Sequence, residues 1–223
     1  MGVGSPRVRS AFSITDVSDL ELWLAFNTGQ GAITDGIQWN DQSGNNRHAS
    51  QTVNAQEGSF SGGAYVTNAD SKANLDLAST FNLSGAYHIF VVLDLSEESS
   101  ETFVSSVDST SFIRFAQSGT ATSYRMKNGG TTCDITLSSG FGTTKAIAEI
   151  SRNSSNTVTV KKNGSSLGTS TGTGTFAFQQ IGTTNSAVTS GEIHEVVAFS
   201  KELSSSEATN VRNDIASRCS ISI

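Results

Sequence analysis

Three groups of residues in this chain have side chains and spacings that could do chemistry. The first is Glu192-x-His194-Glu195, two carboxylates and an imidazole within four positions. Those are the residue types of general acid and base work on a glycosidic bond, which needs two carboxyl groups facing each other across the sugar. Strand alternation puts Glu192 and His194 on one face and Glu195 on the other, so the pair is not opposed. The second group is Asp41, Ser43 and Asn45, inside the run Asp41-Gln42-Ser43-Gly44-Asn45-Asn46. Their oxygens could hold calcium, a hard cation, and Asp35 is nearby in sequence. The same residue types bond their own backbone and tolerate left-handed dihedrals, so a purely structural turn is the simpler reading. The third is Gly168-Thr169-Ser170-Thr171-Gly172, a G-x-S-x-G string. A nucleophile elbow needs a strand before it and a helix after it. Here the surrounding stretch, Gly168–Thr175, reads as a loop or weak edge with a poorly specified register.

Other chemistries find no support. Two cysteines and three histidines show no zinc-site spacing, and neither a P-loop nor a dinucleotide fingerprint occurs. His88 sits in an apolar run and reads as a buried, hydrogen-bonded residue, whereas His48 and His194 read as surface or edge histidines. Cys133 and Cys219 could close one bridge, but spacing alone does not bring two sulfurs together. A formal net charge of −6 leaves no basic field for nucleic acid. No run reaches the roughly 18 apolar residues of a membrane span, and the first residues hold no apolar leader core, so neither a membrane nor a signal-directed route is expected.

The elements that would position these groups are strands. Leu20, Leu22, Leu24 and Phe26 alternate with Glu21, Trp23 and Ala25, which marks a half-buried strand. Short candidates then recur at the spacing of a sandwich or barrel. Between them lie turn signals such as Asn163-Gly164 after Thr157–Lys162, and Asn128-Gly129-Gly130 after Ser123–Lys127. His88–Leu93 is apolar at both parities, which predicts a central strand covered on both faces. Trp23 and Trp39 are expected in the core. One helix is predicted from Ser204: Ser204-x-x-Glu207 is a capping box, Leu203 is placed to staple onto Ala208, and Ala208, Val211 and Ile215 follow helical spacing. Residues 1–18 read as an arm holding the single proline, Pro6, and the paired Arg7 and Arg9, which could anchor on an acidic partner surface. The rest, 19–223, reads as one domain, with no second core and no repeat.

The string "LWL … W-x-D-x-S-G-N … H-A" over Leu20–Gln51, and the ending Gly191–Phe199 followed by Leu203-Ser204 and the helix, resemble concanavalin A-like, laminin-G-like jelly-roll domains of the kind found in phage virion proteins. The resemblance implies an all-β jelly-roll β-sandwich with one short C-terminal helix behind the arm. Glucanases of this fold carry E-x-D-x-x-E on one strand, whereas His194 and Val197 stand here at the central Asp and final Glu. The expectation is therefore no catalytic activity. The implied role is a virion structural protein, a capsid decoration or head fibre, or a tail fibre or adhesin component. Its partners would be other virion proteins, further copies of itself and a host-surface glycan. The alternatives are a carbohydrate-binding module on a bacterial surface and a degenerate glycoside hydrolase. Relatives of the fold hold calcium on loop oxygens, which is what bears on Asp41, Ser43 and Asn45; otherwise no cofactor is implied. For a sugar site, Tyr65, Tyr124 and the Asn-rich loops are the candidates.

Overall fold

A computed structural model describes residues 12–53, 58–67, 73–182 and 190–223. Along the chain these residues form β1 (Leu20–Leu24), β2 (Gln30–Ile33), β3 (Gly36–Trp39), β4 (Ala49–Gln51), β5 (Ser59–Ser61), β6 (Ala64–Thr67), β7 (Asn74–Leu83), β8 (Tyr87–Leu95) and β9 (Glu101–Ser105). There follow β10 (Phe112–Phe115), β11 (Ser123–Asn128), β12 (Thr131–Thr136), β13 (Ala146–Arg152), β14 (Thr157–Lys162), β15 (Ser165–Thr171), β16 (Phe176–Gly182), β17 (Gly191–Phe199) and the helix α1 (Ser205–Cys219).

All pairings are antiparallel, and they make two sheets. Sheet one runs β15-β14-β13-β8-β17-β6-β5, with β1 also bonded to β17; sheet two runs β12-β11-β10-β9-β16-β7-β4-β3-β2. Their facing surfaces bury one core that includes Leu22, Leu24, Trp39, Leu93, Phe103, Phe178 and Val196. The chain is thus a jelly-roll β-sandwich closed by one C-terminal helix. Among the described residues no helix is long and apolar enough to cross a membrane.

A third layer lies on the outer face of sheet one. Phe90, Val92, Ile147, Val197 and Phe199 point away from the sandwich and are covered by Leu203, Ala208, Val211 and Ile215 of the helical segment. This explains why His88–Leu93 has no polar face: Ile89, Val91 and Leu93 fill the inter-sheet core while Phe90 and Val92 meet the helix. The helix begins as its sequence dictates. Ser204 Oγ accepts from Glu207 N, and the Glu207 carboxylate accepts from Ser204 N at 2.8 Å.

Several expectations are corrected. The strict alternation of β1 fails at its ends, because a bulge between Leu20 and Leu22 turns Leu20 to the outer layer, where Phe26 also packs. Trp39 lies between the sheets as expected, but Trp23 is half-buried under α1. Gly168–Thr171 follows the weak-edge reading rather than the loop one: it belongs to β15, an edge strand whose pairing to β14 slips at Val160/Lys161. Gly168 and Gly172 let this edge approach β12: a Cβ at Gly168 would stand 2.7 Å from Ile135 Cγ2, and one at Gly172 3.2 Å from Cys133 Sγ. Ser138 N donates to Leu167 O (2.8 Å) across the same seam, and a bridge between Leu24 and Asp41 links the sheets elsewhere. Cys133 is in the inter-sheet core and Cys219 in the outer layer; both are free thiols. Of the segment read as an arm, residues 1–11, with Arg7 and Arg9, lie outside the described residues. Ile14 and Val17 are buried in the outer layer and Phe12 packs against it, so the folded body starts before residue 19.

Candidate functional site

The turn after β3 is built around one carboxylate. Asp41 Oδ1 accepts from Trp23 N (3.0 Å) and Ser43 N (2.9 Å), and Oδ2 accepts from Ser43 Oγ (2.8 Å) and Arg47 N (3.0 Å). Asn45 Nδ2 donates to Leu20 O (2.8 Å), and Asp41 N donates to His48 Nδ1 (3.1 Å). Asp41, Ser43 and Asn45 therefore do come together, but the Asp41 carboxylate, the Ser43 hydroxyl and the Asn45 amide nitrogen are engaged in closing the turn and stitching it to β1. Asp35 turns the β2–β3 hairpin with a left-handed φ of 61°.

Beside this turn, the hairpin β2–β3 ends sheet two and opens a shallow groove of about 160 Å³ lined by Gly29, Gln30, Gly31, Ile33, Gln38 and Asn40. Gly31 faces Gln38 across the hairpin, and nothing lies within 4 Å of where its Cβ would be. Side-chain amides supply the polar contacts: Gln30 Nε2 donates to Gly63 O (2.9 Å), and Gln38 Nε2 donates to Asn40 Oδ1. Ile33, 38% exposed, adds an apolar patch. No pattern in the sequence singled out this groove, since polar amides on a short strand look like ordinary surface. The tyrosines proposed for sugar contact are elsewhere: Tyr65 and Tyr124 are fully buried in the inter-sheet core.

The carboxylates of β17 are the other place where sequence reasoning missed. Pairing with β8 runs Glu192 to Asp94 and Ile193 to Leu93, then shifts, so that Glu195 faces Val92. The extra residue is His194. The bulge brings Glu195 onto the outer face along with Glu192, which corrects the expectation that it faces the other way. Glu195 is fully buried, accepting from Trp23 Nε1 (2.9 Å) and Arg218 Nη2 (2.6 Å), with the Cys219 thiol 3.5 Å away. It thus clamps α1 to the sheet and presents no carboxylate to solvent. On β13, the buried Glu149 does the same work, meeting His88 Nε2 (3.0 Å), Lys161 Nζ (3.1 Å) and Arg212 Nη2 (2.9 Å). Burial alone would raise the Glu149 carboxyl, but the His88 hydrogen bond and the Lys161 and Arg212 charges outweigh it and hold it at about 2.

His88 is the buried, bonded histidine expected, whereas His194 is not at the surface; it is buried. Burial and the Lys145 charge push its imidazole down to about 4 against the pull of Asp94. Gly168–Thr171 of the G-x-S-x-G string lie on β15 and Gly172 just past its end, and the next element is the strand β16, not a helix.

No protein-family model and no curated protein matches the chain. Solved structures do. The binding domain of botulinum neurotoxin DC in complex with SialylT is 16% identical with a TM-score of 0.59, covering 91% of this chain and 52% of that one. The binding domain of Paraclostridial Mosquitocidal Protein 1 is 15% identical, with a TM-score of 0.55 and coverage of 91% and 53%. A botulinum neurotoxin type C structure, described by cell entry that depends on two ganglioside molecules, is 16% identical at a TM-score of 0.58, with coverage of 91% and 52%. This chain therefore spans about half the length of these neighbours, and at such identity the likeness is one of fold.

Proposed function

We propose that this domain is a non-catalytic binding module for a cell-surface glycan, received in the groove of the β2–β3 hairpin. The observation that carries the reading is the open, amide-lined groove itself. Gln30, Gln38 and Asn40 offer donors and acceptors to hydroxyl groups, Ile33 offers an apolar contact, and Gly31 leaves room for a ring. Neighbours of the same fold are binding domains of toxins, one of them described with gangliosides, which supports a glycan as the ligand class. The engagement of Glu195 by α1 supports the absence of hydrolase chemistry, since one of two nearby carboxylates is locked in a structural ion pair.

The test is an array of neutral and sialylated glycans probed with the full chain and with Gly31→Leu. Gly31 has no positive φ to lose and open space above it, so leucine fills the groove without disturbing the hairpin. Binding that the variant loses at least about tenfold supports the site. A full chain that binds no glycan, or a variant that binds as well, overturns it.

Placement on a virion, with other virion proteins and copies of this chain as partners, is a finer reading. It is supported by the resemblance of the two ends of the domain to phage structural proteins and by the Arg7 and Arg9 pair. Bacterial-surface placement is the alternative. Deleting residues 2–11 is expected to leave the fold intact and abolish incorporation into particles; normal incorporation would place the contact on the sandwich.

A further inference from the structure

We propose that Asp94, Glu192 and His194 form a binding site for a divalent transition-metal ion of the zinc class. Asp94 on β8 and Glu192 on β17 are directly opposed in an antiparallel pair. Like charges in that position repel unless something lies between them to offset the repulsion. Two residues on, the bulge in β17 supplies His194, a position without a ladder partner, on the same face. Bulges characteristically re-aim a side chain, and here the re-aimed group is an imidazole delivered to two carboxylates.

The imidazole is the independent sign. Its side chain is only 6% exposed, yet neither Nδ1 nor Nε2 makes a hydrogen bond of acceptable geometry. Nε2 lies within ion-pair distance of Glu192 Oε2, 3.1 Å, yet makes no hydrogen bond to it. Leaving a buried polar group unpaired is costly, and natural folds seldom do so without a reason. Phe26, with its ring centroid 5.6 Å from that of His194, packs against the imidazole.

One potential ligand atom from each residue lies within 4.8 Å of the other two. A tetrahedral site with bonds of about 2.0–2.1 Å sets its ligand atoms about 3.4 Å apart. The Glu192 side chain is 40% exposed and Asp94 is half-buried, so a rotation of the carboxylates closes the set around the fixed imidazole. The donor types choose the metal. An imidazole disfavours calcium and magnesium, which take oxygen ligands, and the two carboxylates disfavour copper(I). Three protein ligands, with the Glu192 carboxylate reaching solvent at the rim of the outer layer, leave a fourth position to water or to a group from a partner.

The experiment uses the full chain, stripped with chelator and titrated with Zn²⁺ by calorimetry, with Co²⁺ as a spectroscopic probe of tetrahedral coordination. The expected result is saturation at one equivalent, a raised melting temperature, and a visible Co²⁺ band that Zn²⁺ displaces. Glu192→Gln, at an exposed side chain, and His194→Gln are each expected to weaken Zn²⁺ at least about tenfold. The exposed Glu192→Gln variant keeps the test decisive should His194→Gln fail to fold. Absence of saturable binding, or unweakened binding in Glu192→Gln, overturns the proposal.

Discussion

Asp41 holds together a turn that would otherwise leave backbone donors of Trp23, Ser43 and Arg47 without partners. Asp41→Ala should therefore lower stability by about 2–4 kcal/mol in chemical denaturation. The loss should be the same with millimolar calcium as with chelator, because the carboxylate already accepts four bonds. Glu101 on β9 works in the opposite sense. It is fully buried, and burial pushes its carboxyl up to about 7 in spite of the backbone donors Ser190 N and Ser99 N. The folded state then binds a proton that the unfolded state has released, between about pH 4.5 and 7. Stability from this group is complete below pH 4.5 and lost as pH rises through 7. Glu101→Gln should accordingly gain about 2–3 kcal/mol relative to the native chain at pH 8 and nothing at pH 4, as read from melting curves. The Asp41 turn was legible because Asx chemistry is local to a few residues. The roles of Glu149, Glu195 and His194 were not, because they depend on a one-residue bulge in β17 and on arginines some 20 to 60 positions away in sequence.

At the scale of elements, α1 is held to sheet one by more than its apolar stripe. Its capping box and apolar stripe could be read directly, and both are present, but its docking is electrostatic as well as apolar. Arg212 reaches Glu149 and Arg218 reaches Glu195, each a buried carboxylate on a different strand of sheet one. Breaking a buried pair from one side is worse than removing both members. Arg218→Met should cost about 3 kcal/mol, and the double variant Arg218→Met with Glu195→Gln should recover part of that loss in urea unfolding. Acid should loosen the same interface. With Glu149 held at about 2, its contribution is complete above its unfolded value near 4.5 and lost as pH falls toward 2. In Glu149→Gln this acid-dependent loss should be absent, at the expense of stability at pH 7. Phe90→Ala, beneath the helix, should cost about 3–5 kcal/mol.

At the scale of the whole molecule, the sandwich was readable from alternation in its longer strands and from Asn-Gly turns. The strands that escaped notice are short or polar: β2, β4 and β5 have three or four residues, too few for a period to declare itself. Nor could composition show that β15 and β12 meet. That meeting has a consequence for how the protein behaves in concentrated solution. A two-sheet fold has unpaired strand borders, each able to template a neighbour molecule, and here two of them are turned toward one another. The missing side chains at Gly168 and Gly172 let the two borders cover one another, which is expected to hinder intermolecular strand addition. Gly168→Val, whose first carbon would collide with Ile135 and the Thr136 carbonyl, should pry that seam open. The variant should form thioflavin-positive assemblies at concentrations where the native chain scatters no light.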